Sequence, residues 1–422
     1  MIKSVLHPLF LQHPVICTDT RNIKNNSLFF ALKGTRFNGN QFAKDALSKG
    51  AAYAIIDEQE YLLDERYILV DNVLKTLQDL ARYHREYLDI KILALTGSNG
   101  KTTTKELINA VLQQKFNTVA TKGNLNNHIG VPLTLLSMND KTEFGIVEFG
   151  ANHPKEIEFL SKIAKPDFGL ITNFGKAHLE GFGNLQGVIK AKTELYDFLK
   201  ENDKFVFVSA NDNVQMETSK NINRIIIGEN ADVSVKLIAV NPFVSVAYKE
   251  QIIKSNMIGV YNFSNIAFAI GVGDYFKVNS KKIKDAIENY IPENNRSQLI
   301  KKGANTYLLD AYNANPTSMK AALDNFLQLQ VANKYIILGD MLELGETAAQ
   351  EHQILVDYLK DASVIKIVLL GENFYKTKLP SNKFFKYKSK EDFLKNSNFS
   401  NLSDINFLIK GSRGMQLEKL LE

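Results

Sequence analysis

Ile92-Leu93-Ala94-Leu95-Thr96-Gly97-Ser98-Asn99-Gly100-Lys101-Thr102-Thr103 runs from an apolar strand through a glycine-bounded turn into the start of a helix. Glycines let backbone N–H groups converge on an anion with no Cβ in the way. The helix that follows, roughly 102–114, aims the positive end of its dipole at the same spot. Lys101 adds a mobile positive charge, and Thr102 a hydroxyl suited to Mg²⁺. Gly97, Ser98, Asn99, Gly100, Lys101, Thr102 and Thr103 are therefore the candidate phosphate-binding residues, with a nucleoside triphosphate as the expected ligand. The strict P-loop, G-x-x-x-x-G-K-[ST], wants its first glycine at position 95, which is Leu95. The turn is the shorter T-G-x-x-G-K-T. A tight strand-to-helix connection with a solvated lysine is the plain alternative. The ordered succession of strand, glycines, Lys-Thr and helix favours phosphate.

Around this stretch the chain divides into three sections. Its 422 residues exceed one ordinary core, and a length of this order implies about two to four domains. Residues 1 to about 90 alternate strand and helix: strands at 27–32 and 51–56, helices at 41–49 and 74–88. That is a small α/β unit. Residues 91–295 carry strands at 91–96, 144–149, 168–172, 204–208 and 223–228 with helices between, a doubly wound and mostly parallel sheet around the phosphate loop. Residues 296–422 repeat the rhythm as a Rossmann-like α/β domain, with strands at 306–309, 335–338, 367–370 and 406–409. In its helix at 317–330, Met319, Ala322, Leu323, Phe326 and Leu327 form one apolar stripe at i, i+3, i+4, i+7, i+8, read as core packing.

Composition narrows the function classes. Hydrophobic residues make up 45% and charged residues 23%, as in a soluble globular protein. The net charge of +5 suits anionic small molecules, and the scattered lysines make no basic stripe for nucleic acid. Cys17 is the sole cysteine, so an intrachain disulfide and a multi-thiolate metal site are both excluded. No run of 18 apolar residues predicts a membrane span, and residues 1–12 read as no signal peptide. The cytoplasm is the expected compartment.

Further chemistry gathers in the middle section. Thr121-Lys122-Gly123-Asn124-Leu125-Asn126-Asn127-His128-Ile129-Gly130-Val131-Pro132 is rich in amides. Its asparagines suit either a polar or carboxylated ligand or a turn-making solvent loop. Glu148 ends the strand Phe144–Phe149, beside the phosphate-loop strand, where a carboxylate serves Mg²⁺. His178 follows the strand at 168–172 and falls near the same sheet edge; a lone histidine is equally at home as structure. Lys192 reads as a surface lysine.

Several long motifs in order make the chain resemble the Mur ligases, the ATP-dependent amide-forming enzymes of peptidoglycan synthesis. They are Asp19-Thr20-Arg21 with Leu32-Lys33-Gly34, the loop 96–102, Gly123–Pro132, Glu148-Phe149-Gly150-Ala151-Asn152-His153 and Ala177-His178-Leu179-Glu180-Gly181-Phe182. To these the last section adds Asp310-Ala311-Tyr312-Asn313-Ala314-Asn315-Pro316 and Leu338-Gly339-Asp340-Met341-Leu342-Glu343-Leu344-Gly345. Tyr312–Pro316, with no Asp-Asn-Pro anywhere, favours the branch that adds D-alanyl-D-alanine to UDP-N-acetylmuramoyl-tripeptide.

The resemblance implies roles. Thr20, Arg21, Lys33 and Gly34 would lie at the UDP end of the substrate. Lys101 would hold the ATP phosphates, Thr102 and Glu148 one Mg²⁺, and His178 and Lys192 a second, with Lys192 carbamylated by CO₂. Asn262 would contact adenine, preceded here by Tyr261 where the family often has histidine. Arg296 and Asp310 would reach the nucleotide from the last section. Asn124, Asn126 and Asn127 would face the substrate's peptide. Closure of the last section over the middle one and a monomeric state are further expectations. Two rivals fit less well. A GTPase-like switch wants Asn-Lys-x-Asp, which Asn173-Phe174-Gly175-Lys176 does not supply. Folylpolyglutamate synthetase shares the ligase architecture and leaves the Asp19–Arg21 motif unexplained.

Overall fold

The computed structural model describes residues 2–292, 295–397 and 399–422. The first section folds around four parallel strands in the order Ile16–Cys17, Leu28–Phe30, Tyr53–Ile56, Tyr67–Leu69. Both expected strands form. The expected helix at 41–49 begins as a 3₁₀ turn, Gly39–Phe42, before the α-helix Ala43–Ser48. Gly39 is required there, because a Cβ would sit 2.2 Å from the Leu32 carbonyl oxygen.

Helix Val73–Leu88 joins the first section to the second. Asn72 caps it, accepting from the Lys75 amide at 2.8 Å, and Asp89 ends it in the left-handed region. Its apolar face buries Val73, Leu77, Leu80 and Ala81. From the same helix Arg85, largely buried, donates to the Ala164 and Lys165 carbonyls and pairs with Asp167 at 2.8 Å. Asp167 in turn accepts from the Ile92 amide and pairs with Lys204. Arg85 thus pins the start of the phosphate-loop strand through a shared carboxylate. Removing a buried ionic partner is strongly destabilising, and Lys204 partly compensates here. Arg85→Ala is therefore expected to lower unfolding free energy by about 2–3 kcal/mol, read by urea denaturation.

The middle section carries a nine-stranded sheet. Its order is Gln251–Ile258, Phe243–Tyr248, Val233–Ala239, Asn223–Gly228, Phe205–Ser209, Phe168–Ile171, Lys91–Thr96, Phe144–Glu148, Thr118–Ala120. Seven strands pair in parallel, and the last two in sequence add an antiparallel end. The phosphate-loop strand lies inside the sheet, fully buried beyond Lys91. Strand order reverses beside it, with later strands built outward from Phe168–Ile171. A crevice opens beyond the carboxyl ends at such a reversal. Helix Lys101–Leu112 packs under helix Asn262–Tyr275, which is apolar nearly all round and buried accordingly.

The last section has six strands in the order Gln298–Lys302, Asn305–Asp310, Asn406–Lys410, Lys334–Gly339, Lys366–Leu370, Phe384–Tyr387, all parallel except the first pair. Helix Pro316–Gln328 buries Met319, Ala322, Leu323 and Phe326; Leu327, expected in the same stripe, is only partly buried because it falls at the stripe's edge near the helix end.

Candidate active site

A cleft of 1020 Å³ lies where the carboxyl ends of four middle-section strands face the last section. The phosphate loop forms its floor. Gly97 adopts φ +143°, and a Cβ there would meet the Thr172 hydroxyl at 2.0 Å; Gly100 adopts φ +78° and caps the helix. Both the close approach and the backbone geometry demand glycine. The loop is held from beside it. The Ser98 amide donates to the Asn173 carbonyl at 3.1 Å, the Asn99 amide to the Asn173 side chain at 3.1 Å, and the Thr172 hydroxyl to the Asn99 carbonyl at 2.6 Å. Gly97→Ala is expected to weaken binding of a non-hydrolysable ATP analogue at least tenfold and to lower stability by about 1–3 kcal/mol through overpacking. Calorimetric titration and thermal melting read the two effects.

Lys101 folds over its own loop, donating from Nζ to the Gly97 carbonyl at 2.7 Å. Burial pushes its pKa down; Glu148 opposes that and Arg296 adds to it. Among the described residues no carboxylate pairs with it within 4 Å. Its charge is left for an anion in the cleft.

Glu148 is 1% exposed. One oxygen accepts from the Thr102 hydroxyl at 2.9 Å, the other from the Asn126 amide at 2.8 Å, and no cation pairs with it among the described residues. A buried carboxylate whose hydrogen-bond donors are all neutral, with Lys101 acting on it only through space, is open to a directly bound cation. With the Thr102 oxygen beside it, the pair offers the hard-oxygen donors Mg²⁺ prefers. The described residues contain no cluster of three or more His, Cys, Asp or Glu that could hold a metal.

The asparagine loop makes turns and also borders the cleft. Asn127 accepts from the Ile129 and Gly130 amides and starts the helix Gly130–Leu136, a turn-making role. Asn126 reaches Glu148, and Asn124, Asn126 and Asn127 all line the cleft.

His178 lines the cleft too, at φ +52°, with Nδ1 facing the Glu343 carboxylate of the last section. Lys192 corrects the sequence reading. Far from being a surface group, it is 1% exposed, with Nζ 3.4 Å from the Ala151 carbonyl and 5.2 Å from the Phe182 ring centroid. Burial first, and the Lys101 charge second, bring its pKa down to about 7.

Asn262 is buried and also lines the cleft, its side-chain amide donating to the Ile258 carbonyl and accepting from Asn265. Asn265 accepts from the Thr104 hydroxyl, tying this helix to the phosphate-loop helix. Tyr261 binds the Ser297 hydroxyl at 2.8 Å. Arg296 stacks on Tyr312 at 3.6 Å, and Asp310 accepts from the Ser297 amide and pairs with buried Lys410. Tyr261, Arg296 and Asp310 line the cleft with Asn262.

The last section roofs the cleft by direct contacts. Asn99 of the phosphate loop accepts from Asn315 at 2.7 Å, and Lys176 pairs with Glu351 at 2.7 Å. Asn315 also caps helix Pro316–Gln328 in a full capping box. Asn315, Asn265 and Glu343 carry contacts that motif reading gave no role.

Thr20, Arg21, Lys33 and Gly34 do not join this cleft. They lie on the first section. Arg21 grips Asp19 through two nitrogens, holding that carboxyl down to about 2, and Lys33 pairs with Asp57 and Glu58.

Comparison with known proteins places these features in one lineage. The model of the Mur ligase middle domain matches residues 95–273; that of the Mur ligase family, catalytic domain matches 14–85; and that of the Mur ligase, glutamate ligase domain matches 295–390. The UDP-N-acetylmuramoyl-tripeptide–D-alanyl-D-alanine ligase of Rickettsia prowazekii is 34% identical over 427 residues, spanning 96% of this chain and 93% of its own. The Bacillus subtilis enzyme of the same name is 32% identical, spanning 100% and 96%. A crystal structure of MurF from Acinetobacter baumannii superposes with a TM-score of 0.86 at 31% identity, over 96% of this chain and 92% of that one. MurF ligase from Thermotoga maritima in complex with ADP gives 0.84 at 25% identity, covering 97% of each chain.

Proposed function

This chain belongs to the Mur ligase family, and from that premise we propose that it joins D-alanyl-D-alanine to UDP-N-acetylmuramoyl-tripeptide at the expense of ATP, in peptidoglycan precursor synthesis. One observation carries the reading: a glycine-built phosphate loop and a cation-free buried carboxylate share a cleft roofed by a separate α/β section. That arrangement suits a reaction whose intermediate must be kept from water.

The tripeptide carboxylate attacks the γ-phosphorus in line, the bond to ADP breaks, and an acyl phosphate forms. The dipeptide amine then attacks the acyl carbon, phosphate leaves, and the amine loses its proton as the amide forms. Loop amides and Lys101 stabilise charge on the transferring phosphoryl group, so positioning and electrostatics do most of the catalysis. Thr102 and Glu148 would hold one Mg²⁺, and His178 with Lys192 as its carbamate a second; bound there, the ions would supply neutralisation of phosphate charge. As a free amine Lys192 does not fit beside a cation. Asn262, Arg296 and Asp310 would meet the nucleoside, and Asn124, Asn126 and Asn127 the peptide. Thr20, Arg21, Lys33 and Gly34 would hold the UDP end, at a distance that suits a long substrate.

On this reading residues 1–90, 91–295 and 296–422 are three domains of a cytoplasmic monomer. No helix among the described residues is long and apolar enough to cross a membrane. The test is ADP release measured with each substrate omitted in turn. Release should require both the UDP-linked tripeptide and the dipeptide; equal release without the dipeptide overturns the assignment.

A further inference from the structure

The cleft's histidine is held by a residue from across the section boundary. His178 sits at the start of the short helix Leu179–Phe182 in a left-handed conformation, φ +52°. Glu343, opposite, is also left-handed at φ +61°. Such conformations cost energy in residues with side chains and persist where surrounding structure holds them. Here the two turns are seated on one another: the Glu180 amide donates to the Glu343 carbonyl at 3.3 Å, and Gly345 lies against the Glu180 backbone.

The turn bearing Glu343 is fixed within its own section. The Leu342 amide donates to Ser412 Oγ at 2.9 Å, and the Met341 amide to buried His352 Nε2 at 3.0 Å. The carboxylate therefore arrives on a rigid support. Its partner, His178 Nδ1, is buried and lies in ion-pair contact with that carboxylate rather than in an aligned hydrogen bond, whereas the imidazole as a whole is 20% exposed in the cleft. A carboxylate only accepts hydrogen bonds, so the tautomer this contact favours is the one with its proton on Nδ1. Nε2, which has no partner among the described residues, is then the ring's free nitrogen. A second carboxylate fixing the tautomer and orientation of a working imidazole is a recurrent arrangement in catalytic and ligand-binding histidines.

We propose that Glu343 is a positioning residue for His178, delivered by the last section, so that the ring acquires its working tautomer and orientation only when that section is docked. This rests on the reading of His178 as part of the ligase site. The pair makes the roof a component of the site as well as a cover. An enzyme with the last section swung away would keep the phosphate loop intact and leave His178 unoriented.

The experiment is a double-mutant cycle joined to a spectroscopic measurement. Glu343→Ala is expected to lower kcat about 10- to 100-fold, as loss of an outer carboxylate typically does, with KM for ATP nearly unchanged. Added to His178→Ala it should lower kcat no further. Additive losses overturn the proposal, because a merely structural Glu343 would act whether or not the imidazole is present. Independently, ¹⁵N spectra of the histidine ring with ADP bound, at about pH 8 and thus above the ordinary histidine range, should show His178 Nδ1 protonated in the wild type. The same nitrogen should lose its proton in Glu343→Ala. Unchanged Nδ1 signals refute the pairing. Should the alanine variant fail to fold, Glu343→Gln, which keeps size and an acceptor, should lose about 3- to 10-fold, consistent with a neutral group in place of the charge that attracts the ring; full activity there counts against the proposal. If His178→Ala alone is fully active, the reading of His178 as a site residue is what fails, while the ring spectra still decide the pairing.

Discussion

Lys101→Ala is expected to cut ADP release about 10³-fold, roughly 4 kcal/mol of transition-state stabilisation. The size follows from where the ammonium is and what it lacks. It is held by its own loop's Gly97 carbonyl, and desolvation lowers its pKa, yet no carboxylate within 4 Å pairs with it among the described residues. A partly desolvated cation without a counter-ion attracts a phosphate far more strongly than a solvated surface lysine does. Charge accumulates on the phosphoryl oxygens during transfer, so most of the loss should fall on kcat rather than KM. Lys101→Arg is expected to rescue little: the guanidinium needs a planar, two-pronged fit that a loop built for a point charge does not offer. Near-normal turnover in the alanine variant, in a protein with unchanged melting behaviour, would contradict the phosphate role.

Much of the framework was legible because its signals are local. The phosphate-loop strand is an uninterrupted apolar run, buried on both faces, and its glycines stand where the backbone turns left-handed. The strands at 144–148, 168–171, 205–209 and 223–228 are read from the same kind of run. The antiparallel end was also within reach. Val233-Ser234-Val235-Lys236 alternates buried and exposed residues with period two, and Phe243–Tyr248 half-buried and buried ones. Short pairings such as Ile16–Cys17 and Thr118–Ala120 carry too few residues to show any period; neighbouring strands create them.

The site divides along the same line. Glu148 was legible because a glutamate closing an apolar strand asks for a reason. Lys192 was not, since nothing in Ile189-Lys190-Ala191-Lys192-Thr193-Glu194 distinguishes a buried lysine from a solvated one; the apolar ring of Phe182 and the Ala151 carbonyl come from elsewhere in the chain. Asn315 and Glu343 escaped for the same reason. Their partners, Asn99 and His178, lie more than 160 residues away in sequence, and only the docking of two sheets brings them together.

Lys192→Ala is expected to abolish ligation, about 10³-fold or more for a group that completes a charge-stabilising site, and a small added carboxylate such as acetate should restore part of it. The chemistry depends on the neutral amine. Its lone pair attacks the carbon of CO₂, one C–O π bond opens, and a proton is lost, leaving N-carboxylate on the side chain. An ordinary lysine near 10.4 is almost wholly protonated at neutral pH and reacts poorly. Burial and the neighbouring Lys101 charge bring Lys192 to about 7, so at neutral pH about half of it is available. The sign of the pH dependence follows. Above about 7 the amine is neutral and the carbamate forms; as pH falls through 7 protonation withdraws the amine, and activity should decline with it. Wild-type enzyme stripped of CO₂ should lose activity and recover it when bicarbonate is returned. The alanine variant should ignore bicarbonate and respond only to the carboxylate. The same rescue requires a binding space of carboxylate size, which truncation at Lys192 creates beside Phe182. Full activity of Lys192→Ala without rescue would remove this lysine from the site, and indifference of the wild type to CO₂ would leave it acting as an amine.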